Sequence, residues 1–102
     1  MQKSPNNSID IILPVYNEEG NIQFILKDII NKLNENKISN YNIIIAEDGS
    51  TDNTKLILKD FIQNKKIKII TFKERLGYTK SISNAIKFSN NDLLIFLDSD
   101  GQ

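Results

Sequence analysis

The 102-residue sequence contains no cysteine, no histidine and no tryptophan, and only two prolines and four glycines. Without cysteine there is no disulfide framework, no zinc-thiolate site and no cysteine nucleophile. Without histidine there is no Ser-His-Asp triad and no imidazole-ligated metal. Neither sign of charge dominates: 13 Lys and Arg balance 13 Asp and Glu, so the basic surface of a nucleic-acid binder is missing. Long apolar runs are absent as well. The longest, Ile43–Ala46 and Leu93–Leu97, fall far short of the ~20 residues that span a bilayer. Met1–Ser8 lacks the apolar stretch of a secretory signal, and the expectation is a cytoplasmic domain. The glycines are too scattered for a G-x-G-x-x-G or Walker loop, which removes the main support for dinucleotide-oxidoreductase and P-loop readings.

What is present is aliphatic. Ile, Leu, Phe and Val supply 34 of the 102 residues, well above the level of about 20% at which disorder becomes the default. Residues 1–7 read as a loose polar arm and residues 8–102 as one domain. Ile9–Val15 is a short apolar run that suits a strand. From Ile22 the apolar residues Ile22, Ile25, Leu26, Ile29, Ile30 and Leu33 follow the spacing of one helix face. Tyr41–Ala46 reads as a second strand, and a second helix carries Ile57, Leu58, Phe61 and Ile62 to an end near Asn64–Lys66. Ile67–Phe72 is a third strand, a third helix turns Ile82, Ala85, Ile86 and Ser89 inward, and Asp92–Leu97 is a fourth strand. This β-α-β-α-β-α-β order is the pattern of right-handed crossovers onto a parallel, Rossmann-like α/β sheet. The expected strand order is 3-2-1-4.

In such sheets ligands bind outside the carboxyl ends of the strands. Three strands here end in polar or acidic residues: Pro14-Val15-Tyr16-Asn17-Glu18, Glu47-Asp48-Gly49 and Asp98-Ser99-Asp100. Asp98 and Asp100 flank one residue and can converge on a point. Hard oxygen donors with no imidazole favour Mg2+ or Mn2+, which usually fill their remaining positions with water and phosphate oxygens. Tyr16 can lie against a flat base or pack on the first helix. Asp48 can accept an N–H from a base edge or serve as a turn carboxylate. Glu18 and Glu19 suit a helix dipole as well as a ligand, and Asp52 suits a cap. Lys80 and Arg75 can neutralise a diphosphate or simply be solvated.

Three segments, Ile11-Ile12-Leu13-Pro14-Val15-Tyr16-Asn17-Glu18-Glu19, Glu47-Asp48-Gly49-Ser50-Thr51-Asp52 and Asp98-Ser99-Asp100-Gly101-Gln102, together resemble the N-terminal signatures of family 2 glycosyltransferases with the GT-A fold. The last is most similar to the branch that makes polyprenyl-phosphate sugars, such as dolichol-phosphate mannose synthases. The resemblance implies a donor-binding domain for a nucleoside-diphosphate sugar. Pro14 and Tyr16 would line the base pocket, Glu18 would sit near the base or ribose, and Asp48 would hydrogen-bond the base. Asp98 would face the ribose or the metal, and Asp100 and Gln102 would hold Mg2+ or Mn2+ against the diphosphate, with Lys80 among the nucleotide-binding residues. Gly77–Ser81 corresponds to a glycine- and alanine-rich segment preceding the third helix.

The sequence departs from the family pattern at Glu47, where an aspartate is usual, and at Arg75, where asparagine is common. The resemblance also leads to the expectation that the chain holds only the N-terminal part of a transferase, cut after the Asp-x-Asp motif. No catalytic base is then assignable and this part alone is inactive. Its parent would act on a polyprenyl phosphate or a glycan, at the cytoplasmic face of a membrane. The alternative reading is a non-catalytic, Mg2+-binding receiver-like or interaction domain of flavodoxin-type topology. An uncovered fourth strand would favour self-association through its edge.

Overall fold

The computed structural model describes residues 8–89 and 93–97. Its elements are β1 (Ile9–Val15), α1 (Ile22–Glu35), β2 (Tyr41–Glu47), α2 (Thr54–Leu58) with a 3-10 turn at Lys59–Phe61, β3 (Ile67–Thr71), α3 (Tyr78–Ile86) and β4 (Leu93–Phe96). The four strands form one sheet in the order β3-β2-β1-β4, as expected, and every pairing is parallel. The register aligns Val15 with Glu47 and Glu47 with Thr71, so β1, β2 and β3 end on one rim. The Leu97 N–H donates to the Ile12 carbonyl at 3.0 Å, bringing the end of β4 to the same side.

Alternation along the strands divides the core between the two faces of the sheet. Ile11, Leu13, Val15, Ile43, Ile45 and Ile67 pack with Ile22 and Leu26 of α1 and Leu58 of α2. Ile12, Ile44 and Ala46 pack with Ala85 of α3 on the other face. The chain therefore winds from β1 through β2 to β3 with its helices on one face. It then crosses the opposite face to place β4 on the far side of β1. The direction of winding reverses between β1 and β4, which is where a ligand crevice opens in an open α/β sheet.

Pro14 falls at that reversal. The odd-numbered residues of β1 bond toward β2, as Ile9 N–H does to the Asn40 carbonyl, while the even-numbered Ile12 bonds toward β4. Pro14 is the next even position and has no N–H to extend the β4 ladder, which suits a proline near the end of a strand. Below it the buried Asp10 carboxylate accepts from Ser89 Oγ (2.6 Å) and Asn42 Nδ2 (3.1 Å), tying the chain after α3 to the start of the sheet.

Three expectations change. The second helix shortens to five residues and tightens into the 3-10 turn. In a 3-10 turn each residue advances about 120° instead of 100°, so Ile62 rotates off the apolar stripe and is 63% exposed. On α3 the buried pair is Ser81 and Ala85, whose small side chains let the helix lie close to the sheet, while Ile86 faces outward. Tyr78 to Ser81 form the first turn of that helix and not a segment ahead of it. At the sheet edge, Leu93 and Phe96 of β4 are exposed. Among the described residues no helix is long and apolar enough to cross a membrane.

Candidate functional site

Three loops meet at the carboxyl rim: 16–21 after β1, 48–53 after β2 and 72–77 after β3. The first two are stitched together by side chains bonding to backbone. Asn17 takes a left-handed backbone (φ 50°), a conformation asparagine tolerates better than most residues. Its Oδ1 accepts from Thr51 N–H (2.8 Å) and Asp52 N–H (3.3 Å), while its own N–H donates to Ser50 Oγ (2.9 Å). Glu18 N–H donates to Thr54 Oγ1 (2.8 Å), and Glu19 Oε1 accepts from Asn53 N–H (3.0 Å). The loop donors that lie beyond the strands and ahead of α2 thus find partners across the rim.

Asn53, not Asp52, occupies the N-cap position of α2, and it makes no side-chain capping bond; Asp52, one residue earlier, bonds to the first residue of the helix and to the neighbouring loop. Its Oδ1 accepts from the Thr54 N–H (2.9 Å) and the Thr54 hydroxyl (2.5 Å), and its Oδ2 accepts from Glu19 N–H (3.2 Å). Desolvation raises its pKa, but the hydrogen bonds from Thr54 and from the Glu19 N–H outweigh it and hold the carboxyl below the ordinary range. A pKa lower in the folded than in the unfolded chain gives stability that is full above the unfolded value, near 3.8. That stability is lost as the pH falls through the folded pKa. Asp52→Asn is therefore expected to melt below the unsubstituted chain at neutral pH, with the gap closing as the pH drops below that range. Paired thermal melts across the acid limb check this, and a gap constant with pH would refute it.

The third loop is held by Asp48, which is buried. Its Oδ1 accepts from Leu76 N–H (2.6 Å) and its Oδ2 from Gly77 N–H (3.0 Å), just ahead of the first turn of α3. The Arg75 Nε stands 3.7 Å from Asp48 Oδ2, and the Arg75 guanidinium lies 4.1 Å from the centroid of the Tyr16 ring. Gly49 permits this approach. Its φ is +72°, and an added Cβ would stand 2.4 Å from the Glu74 carbonyl carbon and 2.6 Å from the Arg75 nitrogen.

Beneath the rim Glu47 is fully buried. It accepts from Ser50 N–H (2.6 Å) and from Thr71 Oγ1 (2.6 Å), and Lys55 Nζ stands 3.8 Å away while donating to the Phe72 carbonyl (2.8 Å). Glu47 thereby fixes the turn that carries Asp48. The longer side chain, where the resembling family has aspartate, spans from β2 to the end of β3.

Of the residues singled out from the sequence, Tyr16 and Asp48 come together around Arg75, at the rim beside Pro14. Glu18 turns toward the start of α1, where its Oε1 lies 3.5 Å from Asn21 Nδ2. Lys80 is exposed on α3. Asp98, Asp100 and Gln102 lie outside the described residues, as do residues 1–7. Among the described residues no three His, Cys, Asp or Glu side chains form a metal cluster. Sequence reasoning missed Asn17 and Thr54 as organisers of the rim. The only local signal was a run of small polar residues, which reads equally well as an ordinary turn.

Comparison with known proteins extends the picture. The family model described as "Glycosyl transferase family 2" matches residues 10–102. The dolichyl-phosphate beta-glucosyltransferase of Saccharomyces cerevisiae is 32% identical over 99 residues, covering 91% of this chain and 30% of that enzyme. Among solved structures, residues 1–349 of S. aureus TarS superpose with a TM-score of 0.75 at 23% identity, covering 91% of this chain and 27% of that one. Glucosyl-3-phosphoglycerate synthase of Mycobacterium tuberculosis, solved with Mn2+ and UDP, superposes with a TM-score of 0.70 at 22% identity, covering 92% of this chain and 34% of that one. At these identities the structural likeness concerns the fold. The chain spans about a third of the length of the curated relatives it matches.

Proposed function

The chain belongs to glycosyl transferase family 2, and from that premise we propose that it is the donor-binding part of an enzyme that transfers a sugar from a nucleoside diphosphate. The observation that carries this reading is the meeting of Tyr16 and Asp48 beside Pro14, at the rim where the winding of a parallel sheet reverses. The Tyr16 ring offers a flat face for a base. Each Asp48 oxygen accepts one backbone N–H and keeps a second lone pair for a base N–H. Pro14 lines the base pocket next to Tyr16. Glu18, which in the free chain faces Asn21, would turn toward the base or ribose, and the exposed Lys80 of α3 would serve as a counter-charge for phosphate.

The sequence following Leu97 supplies Asp98, Asp100 and Gln102, an all-oxygen donor set that fits Mg2+ or Mn2+. A bound cation would act as a Lewis acid that stabilises the departing nucleoside diphosphate. The chain's own residues meanwhile hold the base and orient the sugar. The dolichyl-phosphate relative supports a polyprenyl phosphate as acceptor, with a glycan as the second candidate class.

Calorimetry with UDP, GDP and CDP in the presence of Mn2+ tests the reading. Metal-dependent binding of at least one nucleotide is expected, with loss on combined substitution of Asp98→Ala and Asp100→Ala. Metal-dependent binding that survives the double substitution would remove the proposed metal site, and no binding of any nucleotide would remove the donor-binding reading.

A further inference from the structure

The Arg75 guanidinium stands where the proposed function puts a nucleobase. It lies over the Tyr16 ring at 4.1 Å and has its Nε 3.7 Å from Asp48 Oδ2, so one flat, N–H-bearing group already occupies both partners assigned to the base. A nucleobase offers the same chemistry, a planar π face and a ring N–H at its edge. The face of Tyr16 that Arg75 covers can stack with only one planar group at a time.

We propose that Arg75 is a specificity-determining side chain that fills the base slot of the free protein and swings out when a nucleotide enters. This rests on the donor-binding reading above.

The backbone favours side-chain rotation over loop movement. The residues next in sequence, Leu76 and Gly77, are bonded through their N–H groups to Asp48. On the other side the Glu74–Arg75 peptide lies so close to Gly49 that a single added carbon would not fit. The loop is therefore pinned on both sides of Arg75, while the Arg75 side chain is 58% exposed and free to turn into solvent. Its hold on the slot consists of an exposed cation–π contact and a long ion pair, each of modest strength. A base that stacks on Tyr16 and donates to Asp48 can displace it. A ligand that offers only phosphates does not need the slot and gains nothing from its clearance. Arg75 thus makes entry conditional on a base with the right edge.

The test compares the 102-residue chain with Arg75→Ala and Arg75→Gln, titrated with UDP, with GDP and with pyrophosphate, all with Mn2+. Both variants are expected to bind whichever nucleotide the chain takes about threefold to tenfold more tightly, the size of the contacts released. Pyrophosphate affinity is expected to stay within about twofold, the baseline set by a screened, exposed cation. By NMR, the Arg75 side-chain protons are expected upfield in the free chain, shifted by the Tyr16 ring, and returned to ordinary positions at nucleotide saturation. Weaker nucleotide binding in both variants, or an upfield shift that persists at saturation, overturns the inference. Nucleotide binding indifferent to Arg75 but abolished by Asp48→Asn overturns it while leaving the donor-binding reading intact. Absence of nucleotide binding in all three proteins overturns both.

Discussion

Gly49→Ala is expected to lower the stability of the chain by about 3 kcal/mol or more, since two costs fall on one atom. A side chain in the left-handed region costs roughly 1–2 kcal/mol, and the Gly49 φ is +72°. The added Cβ would also stand 2.4–2.7 Å from three backbone atoms of Glu74 and Arg75. Backbone cannot rotate aside as the end of a flexible side chain can, and overpacking of this kind adds about 1–3 kcal/mol. The other two glycines among the described residues provide the scale. Gly77 has a φ of +98° and a ψ of 155°, extended backbone of a kind nearly confined to glycine, with nothing within 4 Å, so Gly77→Ala carries only a conformational cost, about 1–3 kcal/mol. Gly20 has an unstrained φ and open surroundings, so Gly20→Ala is expected to be neutral or slightly stabilising. Urea denaturation of the three variants checks the order. A Gly49→Ala chain as stable as the Gly20→Ala chain would mean that the β2 and β3 loops do not approach as described. Nucleotide binding is expected to fall with Gly49→Ala as well, because the displaced 74–77 segment carries the N–H groups that orient Asp48.

The second large effect is expected at Glu47. Glu47→Leu keeps the bulk of the side chain but removes the acceptor from the Ser50 N–H and the Thr71 hydroxyl, and the counter-charge from Lys55. Each buried donor left without a partner costs about 1–3 kcal/mol. Lys55 and Thr71 can turn toward water, whereas the Ser50 N–H is fixed in a buried turn. The expected loss is about 1–3 kcal/mol, carried by the Ser50 N–H. Glu47→Gln retains one acceptor oxygen but faces a second donor with its amide, so an intermediate loss is expected. Equilibrium unfolding in urea measures both. A loss under about 0.5 kcal/mol, the scale of an ordinary surface change, would mean that Glu47 is not the group holding the rim. Ser50 bonds to both Glu47 and Asn17, so effects at Glu47 and Asn17 are expected to be non-additive.

The element order was legible because each strand and helix carries its own period. Ile11, Leu13 and Val15 alternate with Ile12, and the alternation alone separates the residues that meet α1 from those that meet α3. The apolar spacing of α1 likewise placed Ile22 and Leu26 inward. Where the reading failed, the cause was local geometry that composition does not encode. Ile62 lies past a tightened turn, and Ile86 gives way to the small pair Ser81 and Ala85 because close helix–sheet contact decides which row of α3 faces in. At the candidate site, Tyr16 and Asp48 could be marked from their positions at strand ends. The engagement of Asp48 by Leu76 and Gly77 could not, since it depends on a loop 28 residues further along.

Local spacing and side-chain chemistry were enough to specify an alternating α/β chain, free of cysteine and histidine, with polar residues at the carboxyl ends of its strands. Tertiary structure alone decided that Asn17 would bind the 51–52 turn, that Glu47 would bridge β2 to β3, and that Arg75 would lie over Tyr16. Those contacts join loops from different strands, and strand register with the reversal of winding at β1 sets which loops meet. No periodicity within a single segment carries that information.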